Sequence, residues 1–558
     1  MNMKKGVIFE GKEIRKNDEF VVDIEDLTAE GDGVAKLDGY TLFIKDALVG
    51  DKARVSIMKT KKNYGYARLQ EILEPSPYRV EPVCPVARKC GGCQLQHCSY
   101  ERQLVYKQEK IANCLSRIGG FTEIPMEPIM GMEEPFYYRN KAQFPVGRNK
   151  EGEIVTGFYA GRTHDIIDTS HCAIQAKGNE EILTRVKDYM KECKVEPYNE
   201  TTHSGLVRHI LTRVGFTTGE VMVCLIINGT SIPKPEVLVD KLQDIKGMTS
   251  ISINSNTEKT NRILGERCKT LWGKDYIEDY IGDIKYQISP LSFYQVNPVQ
   301  TTRLYETALE YAGLTGDEIV WDLYCGIGTI SLFLAQKAKQ VYGVEIVPQA
   351  IEDAKQNAKI NQISNAEFFV GAAEEVLPKK YEESNGTMAA DVIVVDPPRK
   401  GCDGALLDTI LKMRPEKIVY VSCDPATLAR DLKVLCEKEY RLERVRGCDM
   451  FSQSFHVETV VKLSLKKDTP KIEVTMESDV ESNYTPEEKA TYQKIKEYVK
   501  DKYGVKVHTS YIAQVKRMCG LEMGENYNKS KKEKPQVRVC PQEKVEYIKD
   551  ALRYYNLI

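Results

Sequence analysis

The sequence predicts a multidomain protein with four parts: a small all-β barrel, an α+β domain, a doubly wound α/β domain and a short helical extension. At 558 residues the chain is too long for one hydrophobic core. Short strand patterns with Gly-rich turns fill its beginning, and strand and helix patterns alternate from about residue 286. The predicted boundaries of the four parts are 14–75, 80–285, 286–467 and 485–558.

The composition is that of an ordinary soluble protein, which we expect in the cytosol. Hydrophobic residues make up 42% and charged residues 29% of the chain, and the net charge of -2 identifies no partner. The start, MNMKKGVIFEGKEIRK, lacks the apolar stretch of a signal peptide, and no run of about 20 apolar residues follows, so we expect neither export nor a membrane partner. In the cytosol, 16 cysteines indicate thiols, metal or cluster ligands and catalysis rather than disulfides.

The barrel is predicted by stretches that alternate apolar and polar residues, FVVDIEDL, YTLFIKDALV and KARVSIM, broken by EGDGVAKLDGY. Its last part places basic side chains beside two aromatic rings: Lys52, Arg54, Lys59, Lys61, Lys62 and Arg68 with Tyr64 and Tyr66. Because basic groups bind phosphates and rings stack on bases, we predict an RNA groove here. The alternative is a solvated strand face with two core tyrosines.

The central part begins with a dense group of cysteines. In CPVARKCGGC, the residues Cys84, Cys90 and Cys93 have the spacing C-x5-C-x2-C, which predicts a metal or cluster site without distinguishing zinc from iron–sulfur. A fourth thiol must come from elsewhere; Cys172 in DTSHC is the candidate and Cys98 the local rival. The next stretch, YERQLVYKQEKIANCLSRIGG, has apolar residues at helical spacing and predicts a helix that ends at the Gly-Gly pair.

The α/β part opens with EIVWDLYCGIGTISLFLAQKA, a strand, a Gly-bearing loop and a helix. Strands and helices then alternate up to the closing HVETVVKLSL, which predicts a doubly wound parallel sheet with its ligand at the carboxyl ends of the strands. Four polar residues stand at or near such ends: Asp322, Glu345, Asp396 and Cys423. We therefore expect the chemistry at this edge.

The Gly-bearing loop and the next strand end predict a nucleotide-like ligand. A bare backbone lets such a ligand approach, and Glu345, 19 residues after Gly326, can bind both ribose hydroxyls. A dinucleotide stays possible, although only two close glycines are present; S-adenosylmethionine has no pyrophosphate and needs no third. In VVDPPRKG, Asp396 precedes a rigid Pro-Pro pair and can orient a planar base or an amino group, or the motif is a simple turn.

Cys423 stands between a strand pattern and a Pro-led helix in YVSCDPATLARDL. A lone cysteine is usually a small buried hydrophobe, but a helix N-terminus stabilises a thiolate, which is the nucleophilic form. Glu458 in HVETVV enters the final strand pattern 35 residues later. A nucleophile and a carboxylate suit a reaction that forms a covalent adduct and then removes a proton.

The C-terminal part follows a polar linker, KKDTPKIEVTMESDVESNY. A helix is predicted with a capping box of Thr485 and Glu488 at its start and Gly504 at its end. Two more helical stretches, near 510–519 and 541–555, flank the basic segment NKSKKEKPQVR. We expect an accessory module that adds RNA affinity, the alternative being a solubilising appendage.

Seven motifs in this order resemble the RNA (uracil-5-)-methyltransferases, and within them the iron–sulfur branch that acts on 23S ribosomal RNA: CPVARKCGGCQLQH, YRNK, SFYQVN, DLYCGIGT, VDPPRKG, SCDPATLARD and HVET. The resemblance covers roughly residues 14 to 467 and implies an OB-like TRAM barrel, a central domain with a cluster, and a Rossmann-like class I methyltransferase domain. Two features depart from it. SCDP stands where the family commonly has Asn before the Pro, and the chain after about residue 468 lies outside the shared core.

The resemblance implies a cytoplasmic, monomeric enzyme that uses S-adenosylmethionine to methylate C5 of a specific uridine in 23S rRNA, free or in a ribosome precursor. It implies Cys423 as the nucleophile and Glu458 as the general base. The implied S-adenosylmethionine contacts are Gln295, Tyr324, Glu345 and Asp396. The implied ligands of a 4Fe-4S cluster are Cys84, Cys90, Cys93 and Cys172.

In the implied reaction, the Cys423 thiolate adds to C6, C5 attacks the donor methyl, and Glu458 removes the C5 proton as the sulfur leaves. The target base must be flipped out or presented in a loop. The alternatives are the same chemistry on the T-loop uridine of tRNA, and a noncatalytic RNA-binding ribosome assembly factor. The cysteine group favours rRNA, and the pair of Cys423 and Glu458 counts against the noncatalytic role. DNA cytosine-5 methylation also uses attack by a cysteine, but its usual Pro-Cys motif is absent from this sequence, because Ser422 precedes Cys423.

Overall fold

A computed structural model describes residues 8–9, 12–161, 163–466, 492–505, 507–519 and 540–555. The chain divides into two compact units, Met1–Thr469 and Pro470–Ile558. In this described part of the chain, no helix has the length and apolar character needed to cross a membrane.

The first unit begins with a six-stranded mixed sheet around its own core. A two-stranded ribbon, β1 (Ile8–Phe9) and β2 (Lys12–Glu13), precedes it. The six strands are β3 (Glu19–Asp23), β4 (Asp26–Leu27), β5 (Gly33–Leu37), β6 (Tyr40–Ile44), β7 (Lys52–Thr60) and β8 (Tyr64–Glu74). Their order is β3-β7-β8-β6-β5-β4. Alternate residues of β6, Tyr40, Leu42 and Ile44, are buried in the core, which is the period-2 pattern of a half-buried strand.

A long helix and a short strand follow, α1 (Tyr100–Arg117) and β9 (Met126–Met130). The helix ends just before Gly119 and Gly120, where the sequence predicts its stop. Its buried residues Ile111 and Leu115 pack in one core with Leu428 and Leu432 from the C-terminal part of the unit. Helix α1 therefore belongs to the layer that covers the α/β sheet.

The central sheet has seven strands in the order β12-β11-β10-β13-β14-β15-β16. Its elements are β10 (Lys141–Arg148), β11 (Ile154–Tyr159), β12 (Ile166–Asp168), α2 (Asn179–Glu192), β13 (Val207–Val214), β14 (Val221–Ile227), α3 (Pro235–Leu242), β15 (Met248–Ser255) and β16 (Arg267–Gly273). Only β14 and β15, which α3 connects, pair in parallel. A hairpin follows, β17 (Ile277–Ile281) and β18 (Ile284–Ile288).

The C-terminal part of the first unit is an eight-stranded sheet with helices. Its elements are α4 (Pro298–Ala312), β19 (Ile319–Leu323), α5 (Thr329–Ala335), β20 (Gln340–Glu345), α6 (Pro348–Ile360), β21 (Ala366–Val370), α7 (Ala373–Glu383), β22 (Val392–Val395), α8 (Gly404–Met413), β23 (Lys417–Ser422), α9 (Pro425–Lys438), β24 (Tyr440–Cys448) and β25 (Glu458–Leu465). The order is β21-β20-β19-β22-β23-β25-β24-β9.

The prediction of a wholly parallel sheet is wrong at one side. Strands β19 to β23 pair in parallel as expected, but β25 lies antiparallel between β23 and β24. Strand β24 is absent from the sequence prediction because Arg441, Glu443, Arg444 and Arg446 interrupt its apolar pattern. Strand β9 pairs in parallel with β24 and completes the edge, although it comes from before the central sheet.

The second unit contains three described helices, α10 (Tyr492–Tyr503), α11 (Thr509–Met518) and α12 (Gln542–Tyr554). They share a hydrophobic core of their own, which includes Ile495, Val499, Ile512, Val515, Val545, Ile548 and Leu552. Gly504 follows α10 with φ of +69°. The predicted capping box and the basic segment NKSKKEKPQVR lie outside the described residues.

Candidate active site

A cavity of about 690 Å³ opens at the carboxyl ends of the parallel strands of the eight-stranded sheet. We call it the acidic cavity, because Asp322, Glu345, Asp396 and Glu458 all line it. The six residues that the resemblance implies as nucleophile, general base and methyl-donor contacts all line this one space: Gln295, Tyr324, Glu345, Asp396, Cys423 and Glu458. Residues that are up to 163 positions apart in the sequence therefore meet at one site.

The antiparallel strand β25 brings Glu458 and Cys423 together. Strand β23 ends at Ser422, and Ser422 pairs with Thr459 of β25. Because β25 runs opposite to β23, its first residue, Glu458, lies at the carboxyl end of β23, where Cys423 follows. A parallel final strand would have placed Glu458 at the other edge of the sheet.

The Gly-bearing loop between β19 and α5 presents its backbone to the acidic cavity. Gly326 and Gly328 have φ of +55° and +81°, and Tyr324 has φ of +76°, which is unusual for a residue with a side chain. The backbone N–H of Gly326 donates to Oε2 of Glu345 at 3.3 Å. Glu345 is thus fixed beside a loop that a nucleoside can approach closely.

Three carboxyl groups of the acidic cavity hold their protons more tightly than usual. Burial raises the pKa of Asp322 to about 7, and burial together with the charge of Asp322 raises the pKa of Asp396 to about 7. Burial and then Asp396 raise the pKa of Glu458 well above its usual range, and the Arg399 guanidinium opposes this. Oδ2 of Asp322 accepts from the Ser331 hydroxyl, whereas its Oδ1 has no partner among the described residues. The cavity favours a ligand that carries positive charge or hydrogen-bond donors.

The sequence-based expectation of a stabilised Cys423 thiolate is wrong for the ligand-free protein. Burial, and after it the carboxylates of Glu458 and Asp396, raises the pKa of the Cys423 thiol to about 12. Helix α9 does begin beside it, but the Asp424 side chain caps the helix and accepts from two backbone N–H groups of the first turn. The helix therefore places a carboxylate next to the sulfur, and Asp424 also raises its pKa.

A second cavity, of about 310 Å³, is lined by the four predicted cluster ligands, Cys84, Cys90, Cys93 and Cys172. We call it the cysteine cavity. The local rival, Cys98, does not line it; Cys98 is buried, and its carbonyl accepts from Nε2 of Gln103 at 2.9 Å.

The donor set of the cysteine cavity fits an iron–sulfur cluster. Burial raises the pKa of Cys93 to about 12, a hydrogen bond with Gln96 opposes this shift, and the neighbouring Cys172, Cys90 and Cys84 contribute to it. A positively charged centre would stabilise all four as thiolates. Among the described residues, no group of three or more His, Cys, Asp or Glu is arranged to hold a single metal ion. A four-iron cluster differs, because its four thiolates bind four separate irons.

The two cavities share a wall. Arg399, Phe451 and His456 line both of them. The His456 ring lies 4.2 Å from that of Phe455, and burial, with the charge of Arg399, lowers the pKa of His456 to about 4. No role for these three residues is predicted from the sequence. Arg399 lies within VVDPPRKG and His456 opens HVETVV, so the motifs contained a signal for both, whereas Phe451 had none.

The residues of the predicted RNA groove lie in different environments on the barrel surface. The rings of Tyr64 and Tyr66 lie 5.5 and 5.8 Å from that of Phe43 and are half-buried. Arg68 and Tyr66 line a cavity of about 300 Å³ beside them. Two of the expected phosphate-binding residues are instead paired with acids of the neighbouring strand, Lys52 with Glu74 at 3.2 Å and Arg54 with Glu71 at 3.5 Å.

Two family models match the chain. The model described as tRNA (Uracil-5-)-methyltransferase matches residues 100–466, and the model of the TRAM domain matches residues 15–69. The first match begins at the start of α1 and spans the acidic cavity. Neither match reaches the second unit.

Relatives and a solved structure agree with these matches. A Halalkalibacterium halodurans protein described as an uncharacterized RNA methyltransferase is 53% identical over 454 residues, 81% of this chain and 98% of the relative. A Clostridium tetani protein with the same description is 48% identical over 459 residues, 82% of this chain and 99% of the relative. The structure of Pyrococcus abyssi tRNA (uracil-54, C5)-methyltransferase in complex with S-adenosyl-L-homocysteine matches with a TM-score of 0.65 and 31% identity, covering 79% of this chain and 99% of that chain.

Proposed function

Because the chain belongs to the tRNA (uracil-5-)-methyltransferase family, whose members methylate C5 of uracil in RNA with S-adenosylmethionine, we propose that it methylates a specific uridine of 23S rRNA. We further propose that it does so as a cytoplasmic monomer, on free rRNA or on a ribosome precursor. The observation that carries the choice of rRNA is the cysteine cavity beside the acidic cavity, because the resemblance is to the branch that combines a cluster with this chemistry.

S-adenosylmethionine supplies an electrophilic methyl group on a cationic sulfur. In the proposal, Glu345 binds the ribose hydroxyls beside the backbone of the Gly-bearing loop, and Gln295, Tyr324 and Asp396 complete the binding site. The raised pKa values of Asp322 and Asp396 support this assignment, since buried carboxyl groups are stabilised as anions by a nearby positive charge.

Cys423 is the proposed nucleophile. Its thiolate forms a bond to C6 of uracil, and the electron pair of the C5–C6 double bond moves toward C5. C5 then forms a bond to the methyl carbon as the bond between that carbon and the donor sulfur breaks and S-adenosylhomocysteine leaves. Burial raises the pKa of this thiol to about 12, and a cationic methyl donor beside it would favour transfer of its proton to water before the attack. Glu458 then removes the C5 proton, the C5–C6 double bond re-forms, and the bond between C6 and the sulfur breaks.

The other parts hold the substrate and the fold. Cys84, Cys90, Cys93 and Cys172 are the proposed ligands of a 4Fe-4S cluster, which would cross-link the segment before α1 to the loop after β12 and takes no part in the chemical steps. The barrel is the proposed RNA-binding element. Because C6 is inaccessible in a stacked helix, the uridine must enter the acidic cavity flipped out of its stack.

The test is to map 5-methyluridine in 23S rRNA and in tRNA from cells with and without this protein. We expect one or more rRNA positions to lose the methyl group when the protein is absent and to regain it when the protein is restored. A restored protein with Cys423→Ala should leave them unmethylated.

The second candidate is the T-loop uridine of tRNA. The similarity to the Pyrococcus abyssi tRNA (uracil-54, C5)-methyltransferase, which spans 99% of that chain, favours it. Loss of 5-methyluridine from tRNA alone would select this candidate and reject rRNA as the substrate.

A further inference from the structure

The loop that connects β24 to β25, residues 449–457, extends along both cavities; we call it the bridging loop. Phe451 and His456 line the acidic and the cysteine cavity, and Ser454 lines the cysteine cavity. The loop leads directly into Glu458. Any displacement of this loop therefore changes the wall of the acidic cavity beside the proposed general base.

The bridging loop is hydrogen-bonded to the segment that carries Cys93. The carbonyl oxygen of Gln453 accepts from the backbone N–H groups of Gln94 and Leu95, both at 3.0 Å. These two residues directly follow Cys93 in the sequence. The position of Cys93 and the position of Gln453 are therefore linked through two backbone hydrogen bonds.

A reciprocal pair of amides closes the same link. Gln103 of α1 donates from Nε2 to Oε1 of Gln453 and accepts from the Gln453 N–H, both at 3.0 Å. The same Nε2 donates to the Leu95 carbonyl at 3.0 Å. Gln103 and Gln453 are 1% and 3% exposed, so neither amide can be satisfied by bulk water. Gln103 thus holds the cysteine segment and the bridging loop at once.

Gln453 adopts a backbone conformation that needs this support. Its φ is +67°, in the left-handed region that long side chains rarely occupy. Such a residue keeps its conformation only where its surroundings hold it. The middle of the bridging loop is consequently the part that would relax if residues 94–95 moved.

The start of the loop is anchored independently of the cysteines. Lys107 of α1 forms an ion pair with Asp449 at 2.5 Å, and both side chains are fully buried. The Tyr100 hydroxyl donates to the other carboxylate oxygen of Asp449 at 2.7 Å.

Lys107 also donates to the Phe451 carbonyl at 2.9 Å, and the Tyr138 hydroxyl donates to the Ser452 carbonyl at 3.0 Å. A change at the cysteine cavity would therefore act on Gln453 and the residues after it, without detaching the start of the loop from α1.

We propose that the contact between Gln103 and Gln453 transmits the occupancy of the cysteine cavity to the uracil side of the acidic cavity. With the cluster bound, residues 94–95 hold Gln453, and the loop holds His456 where the flipped base enters. Without it, the wall relaxes and Cys423 no longer captures the base, while methyl-donor binding at the Gly-bearing loop persists. Gln103 and Gln453 are positioning residues, and this inference rests on the proposed function.

The experiment uses the full-length protein and RNA that contains 5-fluorouridine at the target position. Cys423 adds to C6 and C5 accepts the methyl group, but fluorine cannot leave C5 as the proton would, so the covalent adduct persists. Three quantities are measured for each variant: iron content, the dissociation constant for S-adenosylmethionine, and the rate of adduct formation on a denaturing gel.

Gln453→Gly removes the amide and permits the positive φ without support, whereas the matched variant Gln453→Asn keeps a shorter amide and tolerates this φ. We expect Gln453→Gly to keep its iron and its affinity for S-adenosylmethionine and to form the adduct about 10- to 100-fold more slowly, the range that a small misplacement of reacting groups produces. Gln453→Asn should retain more of the rate. Cys93→Ser, which loses the cluster, should show the same separation of adduct formation from donor binding.

Adduct formation at the wild-type rate in iron-free Cys93→Ser, or in Gln453→Gly, would overturn the inference. Loss of S-adenosylmethionine binding together with the adduct would also overturn it, because it would indicate general unfolding rather than a local link. Failure of the proposed function itself would give a different result. In that case the wild-type protein would contain iron and bind the methyl donor, yet it would form no adduct with rRNA or tRNA.

Discussion

Removing the proposed general base should make the proposed nucleophile more reactive in the ligand-free protein. Glu458 is the largest contributor after burial to the raised pKa of Cys423. Glu458→Gln keeps the shape of a side chain that is only 3% exposed and removes its negative charge. Because only the ionised carboxylate repels the thiolate, the effect of the substitution grows as the pH rises through the pKa of Glu458.

The size of the effect follows from the shift at Cys423. Its pKa is raised from 9.0 to about 12, and each pKa unit is a tenfold change in thiolate at a fixed pH below the pKa. Burial, Asp396 and Asp424 remain in the variant, so Glu458 accounts for only part of this shift. We expect the inflection of Cys423 reactivity to move down by about one unit, which is about tenfold faster alkylation at fixed pH.

The assay is the rate of iodoacetamide alkylation of Cys423 in ligand-free protein, followed by mass spectrometry of its peptide from about pH 7 to about pH 10. Glu345→Gln is the matched control, because Glu345 lines the same cavity but is not among the groups that shift the pKa of Cys423. It should leave the profile unchanged. This pH range lies below the inflection, where the alkylation rate follows the thiolate fraction. A rate in Glu458→Gln that equals the wild-type rate or falls below it at every pH would refute the electrostatic reasoning.

Three further predictions concern the reaction, the cluster and the second unit. With S-adenosylmethionine and unmodified target RNA, Glu458→Gln should accumulate a methylated protein–RNA adduct on denaturing gels, because loss of a general base costs about 100- to 10,000-fold in elimination; Cys423→Ala should bind both ligands and form no adduct. Anaerobically purified protein should contain about four irons, and Cys172→Ser should lose them while Cys98→Ser keeps them; one zinc and no iron would contradict the cluster. Deleting residues 485–558 should weaken RNA binding and flatten its salt dependence without changing S-adenosylmethionine affinity, and unchanged binding across salt concentrations would leave the segment without an RNA role.

The sequence predicted the strand-end residues well because parallel sheets impose a simple rule. Strand ends of such a sheet meet at one edge, so Asp322, Glu345, Asp396 and Cys423 could be brought together from their positions in the pattern alone. The position of Glu458 depends on a different feature, the antiparallel insertion of β25, which local periodicity does not encode. Its pairing with Cys423 was predicted from the chemistry of the two side chains and from the resemblance, not from the strand pattern.

The pKa of Cys423 and the position of the bridging loop could not be predicted from local sequence patterns. The pKa of Cys423 depends on burial and on carboxylates from two other strand ends, which only the folded chain brings together. The bridging loop depends on contacts between residues about 350 positions apart, such as those of Gln103 with Gln453. Strand β24 was missed because its charged residues interrupt the apolar pattern. The strand is hydrogen-bonded to a neighbour on each side, yet one of its faces stays partly exposed and accommodates these charges.

The edge strand β9 determines where this chain can be divided. A fragment that starts at residue 286 would contain every motif of the methyl-transfer chemistry, yet it would lack β9 and leave the backbone of β24 unpaired along one side. It would also lack α1 and expose the apolar residues that Ile111 and Leu115 cover. Unpaired edges and bare apolar faces recruit other chains, so such a fragment should aggregate. A chimera between relatives that exchanges the catalytic half must therefore include residues 100–130 of the same relative. During synthesis on the ribosome, the eight-stranded sheet can be completed only when β24 and β25 have emerged and β24 pairs with β9, which was synthesised long before them.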